Sequence, residues 1–288
     1  MNKHKLITLA ILMALILPFT YGGCAGGGGG SDDNGQVYAE EPIFFQVAIE
    51  NHDRFFIQAN TGRVEITGSP TVNSVTIEGE RRVGSSNLED AEAYLDQLQV
   101  AVKDLGTEVT VETIQPKFAG GRNYEVNYRI TVPDNLEVYA SQVVGPVFID
   151  AINNPVTVNM VNGDADISEI SGSTQVNVIN GKIFSQVTLP FDGAIELTTV
   201  NGGIDAEIGL SPGGTIDITA LHGDINLDIP QNTSATFSAS LIEGSIQLIH
   251  LVLQNEVRAA HSLSGILGEG QGDIWLETET GKITVTGY

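Results

Sequence analysis

Asp205, Glu207, Asp224, Asn226 and Asp228 fall on two neighbouring segments of a 288-residue chain that is otherwise poor in chemically active groups. Asp205 and Glu207 follow Gly202 by three and five residues, and Asn226 and Asp228 follow Gly223 by the same steps. If the two segments pair in register as strands, Asp205 lies beside Asn226 and Glu207 beside Asp228, about 5 Å apart. Adjacent carboxylates repel. A bound Ca²⁺, which takes oxygen ligands, would relieve that repulsion and is the one cofactor these residues point to. A carboxylate pair could also serve acid/base chemistry on a glycan. The third reading is a solvated acidic face, its charges screened within about 8–10 Å. Lys and Arg are nearly absent from residues 183–257, so this face lacks the basic partner that glycan-active sites use. Trp275 is the only tryptophan and falls at an outward position. It either stacks on a sugar or a partner or packs under the C-terminal end. His52, His222, His250 and His261 show no metal spacing, and neither a G-x-S-x-G nor a phosphate-binding loop occurs.

A regular frame must hold these residues. Glycines recur at 145, 163, 181, 202, 223, 244, 265 and 281, and a second series runs through Gly172, Gly193, Gly214, Ala235, Glu256 and Gly272. A period near 20 residues is the mark of a solenoid. Two residues after the first-series glycines stand Ala165, Ile183, Ile204, Ile225, Ile246, Leu267 and Ile283. After the second series come Ile195, Ile216, Phe237 and Ile274, then Leu197, Ile218 and Leu276. Side chains alternate faces along a strand, so these columns share one inward face. Arg258 breaks its column, which predicts a bulged coil at "NEVRAAHSL". Asn162, Asn180 and Asn201 precede their glycines, and stacked amides there predict a hydrogen-bonded ladder. The expected fold is all-β: a single-stranded parallel β-solenoid (β-helix) over 143–288, with 18–21 residues and two strands per coil.

Residues 42–142 read as a strand-rich unit that caps this solenoid and carries one α-helix. The helix is expected over Ser86–Gly106, with a Ser86/Glu89 capping box and an apolar stripe of Leu88, Ala91, Leu95, Leu98 and Val102. In "NYEVNYRITVP", Tyr124, Val126, Tyr128, Ile130 and Val132 form a core-facing row. Ahead of this unit, Lys3 and Lys5 precede an apolar run from Leu6 to Leu17, too short for a stable span and suited to a signal peptide over 1–23. Cys24 is the only cysteine, which excludes an internal disulfide. Its setting resembles a bacterial lipobox, with Tyr21 departing from the usual residue, and the resemblance implies lipidation of Cys24. Residues 24–41 read as a Gly-rich tether.

The formal net charge of −23 excludes nucleic acid and anionic lipid as electrostatic partners. The segments "YRITVPDN", "VNGD", "NGKI", "NGGI", "HGDI" and "GQGDIWLETETGKITV" carry a likeness that runs from Phe45 to Tyr288. They resemble the bacterial β-strand-repeat candidate adhesins of unknown function, relatives of the GIN-domain group. That resemblance implies a cell-envelope β-helix and supplies no ligand. The expected localisation is lipid-anchored in the envelope, at the outer membrane in a Gram-negative host. Three functions stand at this stage. The first is a non-catalytic adhesion or interaction scaffold for an envelope protein or glycan. The second is a glycan-active β-helix enzyme. The third is an envelope-stress sensor bound to another envelope protein.

Overall fold

The structure, a computed structural model, describes residues 35–288. The signal peptide, Cys24 and most of the tether lie outside the described residues. Strand β1 (Val37–Ala48) already occupies the last tether positions, because "VYAEEPIFFQVA" alternates and pairs antiparallel with β4. After β1 come β2 (Arg54–Thr61), β3 (Val64–Ser69), β4 (Ser74–Ser85), α1 (Leu88–Leu95), β5 (Gln99–Asp104), β6 (Glu108–Ile114) and β7 (Asn123–Pro133). Short strands then alternate between two layers. They are β8 (Glu137–Val144) and β9 (Val147–Asp150), β10 (Val156–Asn162) and β11 (Ala165–Ile170), β12 (Thr174–Asn180) and β13 (Ile183–Thr188), β14 (Ala194–Asn201) and β15 (Ile204–Gly209), and β16 (Thr215–His222) and β17 (Ile225–Ile229). The last elements are β18 (Ala235–Ile249), β19 (Gln254–Arg258), β20 (Ser262–Leu267) and β21 (Gly272–Gly287). The described chain is thus all-β apart from one helix, and its sheet nearly closes into a solenoid-like shape.

One layer stacks β8, β10, β12, β14 and β16 in parallel, and the other stacks β9, β11, β13, β15 and β17. Val156 stands opposite Thr174 and Thr174 opposite Ile195, steps of 18 and 21 residues. Alternation sends one row of each strand between the layers. Ile183, Ile204, Ile225 and Ile283 are fully buried, as are Ile216, Ile218 and Ile274. Each such side chain stabilises the fold by roughly 1.5–3 kcal/mol. Tyr124, Val126, Tyr128, Ile130 and Val132 join the same continuous core. Tyr128 lies so deep that burial pushes its phenol up to about 12, while its hydroxyl hydrogen-bonds Thr113 at 2.7 Å.

The layers meet at the glycine turns. A Cβ placed on Gly202 would fall on the carbonyl oxygen of Gly181 one coil away, and φ there is 150°. The expected amide ladder forms beside these turns: Asn180 donates to Asn162 at 2.9 Å and Asn201 donates to Asn180 at 2.8 Å. Beneath the turns, the buried hydroxyl of Thr199 donates to Gly181 O at 3.1 Å, which explains a polar residue in an apolar column.

Expectations about the helix and the order of the coils are corrected. The helix spans Leu88–Leu95 and is capped by Asn87, whose side chain accepts from the Asp90 N–H, not by Ser86. Val100 and Val102 alternate in a strand, β5, that pairs antiparallel with β6, and that pairing overrides the helical spacing of Leu98 and Val102. The boundary at 142/143 falls inside β8, and β2 and β3 stack directly on β8 and β9, so the N-terminal residues build coils of the same body. At the C-terminal end the coils do not stack in chain order. β21 lies between the β16/β17 coil and β18, pairing in parallel with all three. Gly281 therefore follows Gly223 in the turn column, and Gly244 follows Gly281. Gly265 leaves the column, because β20 runs antiparallel to β18 and sets Gly265 opposite Phe237. The irregularity expected near Arg258 is a bulge in the β19–β20 pair, not a coil. The N-terminal end repeats the device: β2 and β3 sit between the later β6/β7 pair and β8/β9.

Candidate functional site

Alternation leaves two outward faces. On the β9–β17 layer, Asp205 stands opposite Asn226 and Glu207 opposite Asp228, as their spacing predicted. The Asn226 amide donates to Asp205 at 2.6 Å, so an uncharged partner already relieves that contact. Phe184, Asp166 and Gln186 extend the row, and together they line a shallow groove of about 370 Å³. Burial pushes the Asp166 carboxyl up, and neighbouring Asp150 adds to the rise. Tyr288 closes the end of the row; burial and the nearby Glu207 and Asp228 raise its phenol.

Asp224 does not join this row. It sits in the glycine turn, where its carboxylate accepts the Lys282 N–H at 2.7 Å. Among the described residues no three His, Cys, Asp or Glu side chains converge on a point where a metal ion would sit. His52 lies at the other end of the stack and pairs with Asp104 at 2.9 Å. The Gly106 N–H and His52 hold the Asp104 carboxyl below its ordinary range. A larger hollow of about 490 Å³ opens at the corner beside the groove, bordered by Asp134, Asn153, Glu169, Glu207 and Tyr288.

Trp275 lies on the other outward face, that of the β8–β16 layer. It stands between Asp217 and Ser238 and is 52% exposed. Burial raises the Asp217 carboxyl, and Glu196 and Glu277 raise it further. Further along this face most side chains are uncharged, Glu137 being paired with Arg54 at 3.2 Å. Tyr139, Asn159 and Asn177 form a chain in which Asn177 donates to Asn159 at 3.1 Å and Asn159 donates to the Tyr139 hydroxyl at 2.9 Å. Beside it runs an aliphatic row, Val143, Val161, Ile179, Val200 and Leu221, of which the first three are exposed. Sequence reasoning missed this row. Its signal was the residue two places before each turn glycine, in "VNG", "ING", "VNG" and "LHG", where an aliphatic side chain recurs at an outward position.

No curated protein is significantly similar to the chain. Solved structures are. A candidate adhesin from Bacteroides fragilis is 13% identical, covering 85% of this chain and 97% of its own, with a TM-score of 0.39. A candidate cell adhesion protein from Clostridium sporogenes is 10% identical, covering 86% of this chain and 100% of its own, with a TM-score of 0.32. A candidate lipid-binding protein from Parabacteroides distasonis is 12% identical, covering 85% and 96%, with a TM-score of 0.24. The pattern of one family matches residues 50–286, nearly the whole described body, and the chain belongs to that family, Toastrack DUF4097.

Proposed function

We propose that this chain is a non-catalytic scaffold of the cell envelope, a parallel β-solenoid held to a membrane through lipidated Cys24, whose outward faces bind a protein or glycan partner. One observation carries the reading. Every second residue of most strands is committed to a single continuous core, and most of the residues left over form open faces. Open faces suit contact with an extended partner, whereas small-molecule chemistry favours concave sites that bury most of the ligand. The acidic row argues the same way. Asp205 is engaged by Asn226, and the groove beside it is lined by carboxylates, amides, Ser168 and Phe184 with no basic residue among them.

The test is capture. The chain on beads, and a triple variant carrying Asp205→Asn, Glu207→Gln and Asp228→Asn, are incubated with detergent-solubilised bacterial envelope. Both are expected to retain the same envelope component and to release no reducing sugar. Sugar release by the parent chain that the triple variant lacks would establish the enzyme reading instead.

A further inference from the structure

The two outward faces differ in charge. On β9–β17 the outward positions include Asp150, Asp166, Asp205, Glu207 and Asp228. On β8–β16 the corresponding positions carry three charges, Glu137, Glu196 and Asp217, and Arg54 pairs with Glu137 at 3.2 Å. A surface kept nearly neutral in so acidic a molecule leaves few charges to desolvate under an uncharged partner and offers a cationic one little.

That nearly neutral face has two parallel rails running across the strands. The polar rail is Tyr139, Asn159, Asn177 and Thr198, and its members are half-buried. Its hydrogen bonds are ordered: Asn177 donates to Asn159 and Asn159 to the Tyr139 hydroxyl, at 3.1 and 2.9 Å. Because Tyr139 accepts there, its own O–H is left to donate, and the second N–H of each amide is likewise left over. The apolar rail is Val143, Val161, Ile179, Val200 and Leu221, with Ile179 46% exposed. Strands stand about 4.8 Å apart, so the five-strand apolar rail is about 19 Å long and the four-strand polar rail about 14 Å. Five residues along each strand add about 17 Å of width, a footprint of about 300 Å². A stable protein interface takes about 800 Å² from each partner, so this face is too small for a second copy of the chain.

We infer that the β8–β16 face binds an uncharged polysaccharide chain laid across the strands. The polar rail exchanges hydrogen bonds with sugar hydroxyls, and the aliphatic rail packs against the C–H faces of the rings. The inference rests on the reading of the chain as an interaction scaffold and names its partner and its face. Both rails are fixed by the coil-to-coil register, so little side-chain freedom is lost on binding.

The experiment uses the full chain in mild detergent with hexasaccharides of β-1,4-glucose, xylose, mannose and N-acetylglucosamine as probes, and polygalacturonate as the charged control. Calorimetry measures affinity. At least one neutral hexasaccharide is expected to bind and polygalacturonate to give no heat. Ile179→Lys, at an exposed position, and Asn177→Ala, at a half-buried one, are expected to weaken binding at least 10-fold, and Asp228→Asn on the opposite face to leave it unchanged. Thermal melting of each variant confirms that it folds. Absence of binding to all four neutral probes, or binding indifferent to Ile179→Lys and Asn177→Ala, overturns the inference. If the sugars fail while bead capture of an envelope protein persists, the inference falls and the scaffold reading stands. If sugars and capture both fail, both fall.

Discussion

Gly202 shows how little room the turn column leaves. Its Cβ position is taken by the Gly181 carbonyl, and its φ of 150° is one that residues with side chains rarely adopt. Gly202→Ala is expected to cost more than about 2 kcal/mol in urea unfolding, because backbone of one coil must move off the next. Gly209→Ala is the contrast. There an added Cβ meets Thr188 at ordinary van der Waals distance, 3.5 Å, and the substitution is expected to be nearly neutral. Asp217 makes a pH prediction. Burial, with Glu196 and Glu277, raises its carboxyl above the ordinary 3.8, so the folded state holds that proton more tightly than the unfolded chain. Its stabilising contribution is fully present below pH 3.8 and is lost as pH rises through the folded value. Asp217→Asn is therefore expected to raise the Tm at pH 7. The gain is less than about 1 kcal/mol, since the group is partly solvated, and it vanishes below about pH 3.8. Melting curves of the two proteins across pH 3–8 check both sign and window.

At the scale of elements, the insertion of β21 decides how the body closes. Ile274, Leu276, Ile283 and Val285 are at most 2% exposed, and each depends on neighbours on both sides. Their burial is worth roughly 6–12 kcal/mol at about 1.5–3 kcal/mol each, comparable to the whole stability of a domain. A chain ending at residue 271 is expected to lose cooperative unfolding in circular dichroism. A synthetic peptide of residues 272–288 is expected to restore it by filling the slot between β16/β17 and β18. Much of the repeat was legible in the sequence, because Ile204 and Ile225 announce their burial through alternation with polar residues. The order of the last coils was not. Gly244 and Gly281 carry the same local signal, and only long-range pairing decides which of them meets Gly223. The helix was over-extended for a related reason: Leu98 and Val102 fit a helical stripe as well as Val100 and Val102 fit a strand, and pairing with β6 settles it. At the acidic row, Asp205, Asn226, Glu207 and Asp228 were legible because equal offsets from successive glycines give equal places in register. Asp224 was not, because its carboxylate turns to a backbone N–H from β21, 58 residues further on.

For the whole molecule, the same coil repeat produces two unlike faces, one acidic and one nearly neutral over β8–β14. The repeat constrains the inward columns and the glycines. It leaves the outward rows free, yet Val143, Val161, Ile179, Val200 and Leu221 keep one character through five successive coils. Val143, Val161 and Ile179 in that row are exposed, and exposed apolar side chains in register are what the proposed contact surface would use. On the proposed reading, this chain works by binding, and the nearly neutral face does the binding. Bead capture from solubilised envelope with two variants, Ile179→Lys on the neutral face and Asp228→Asn on the acidic one, tests it most directly. Ile179→Lys is expected to lose at least nine-tenths of the captured partner while melting like the parent, and Asp228→Asn to capture as the parent does. Undiminished capture by Ile179→Lys, or loss of capture confined to Asp228→Asn, would overturn that reading.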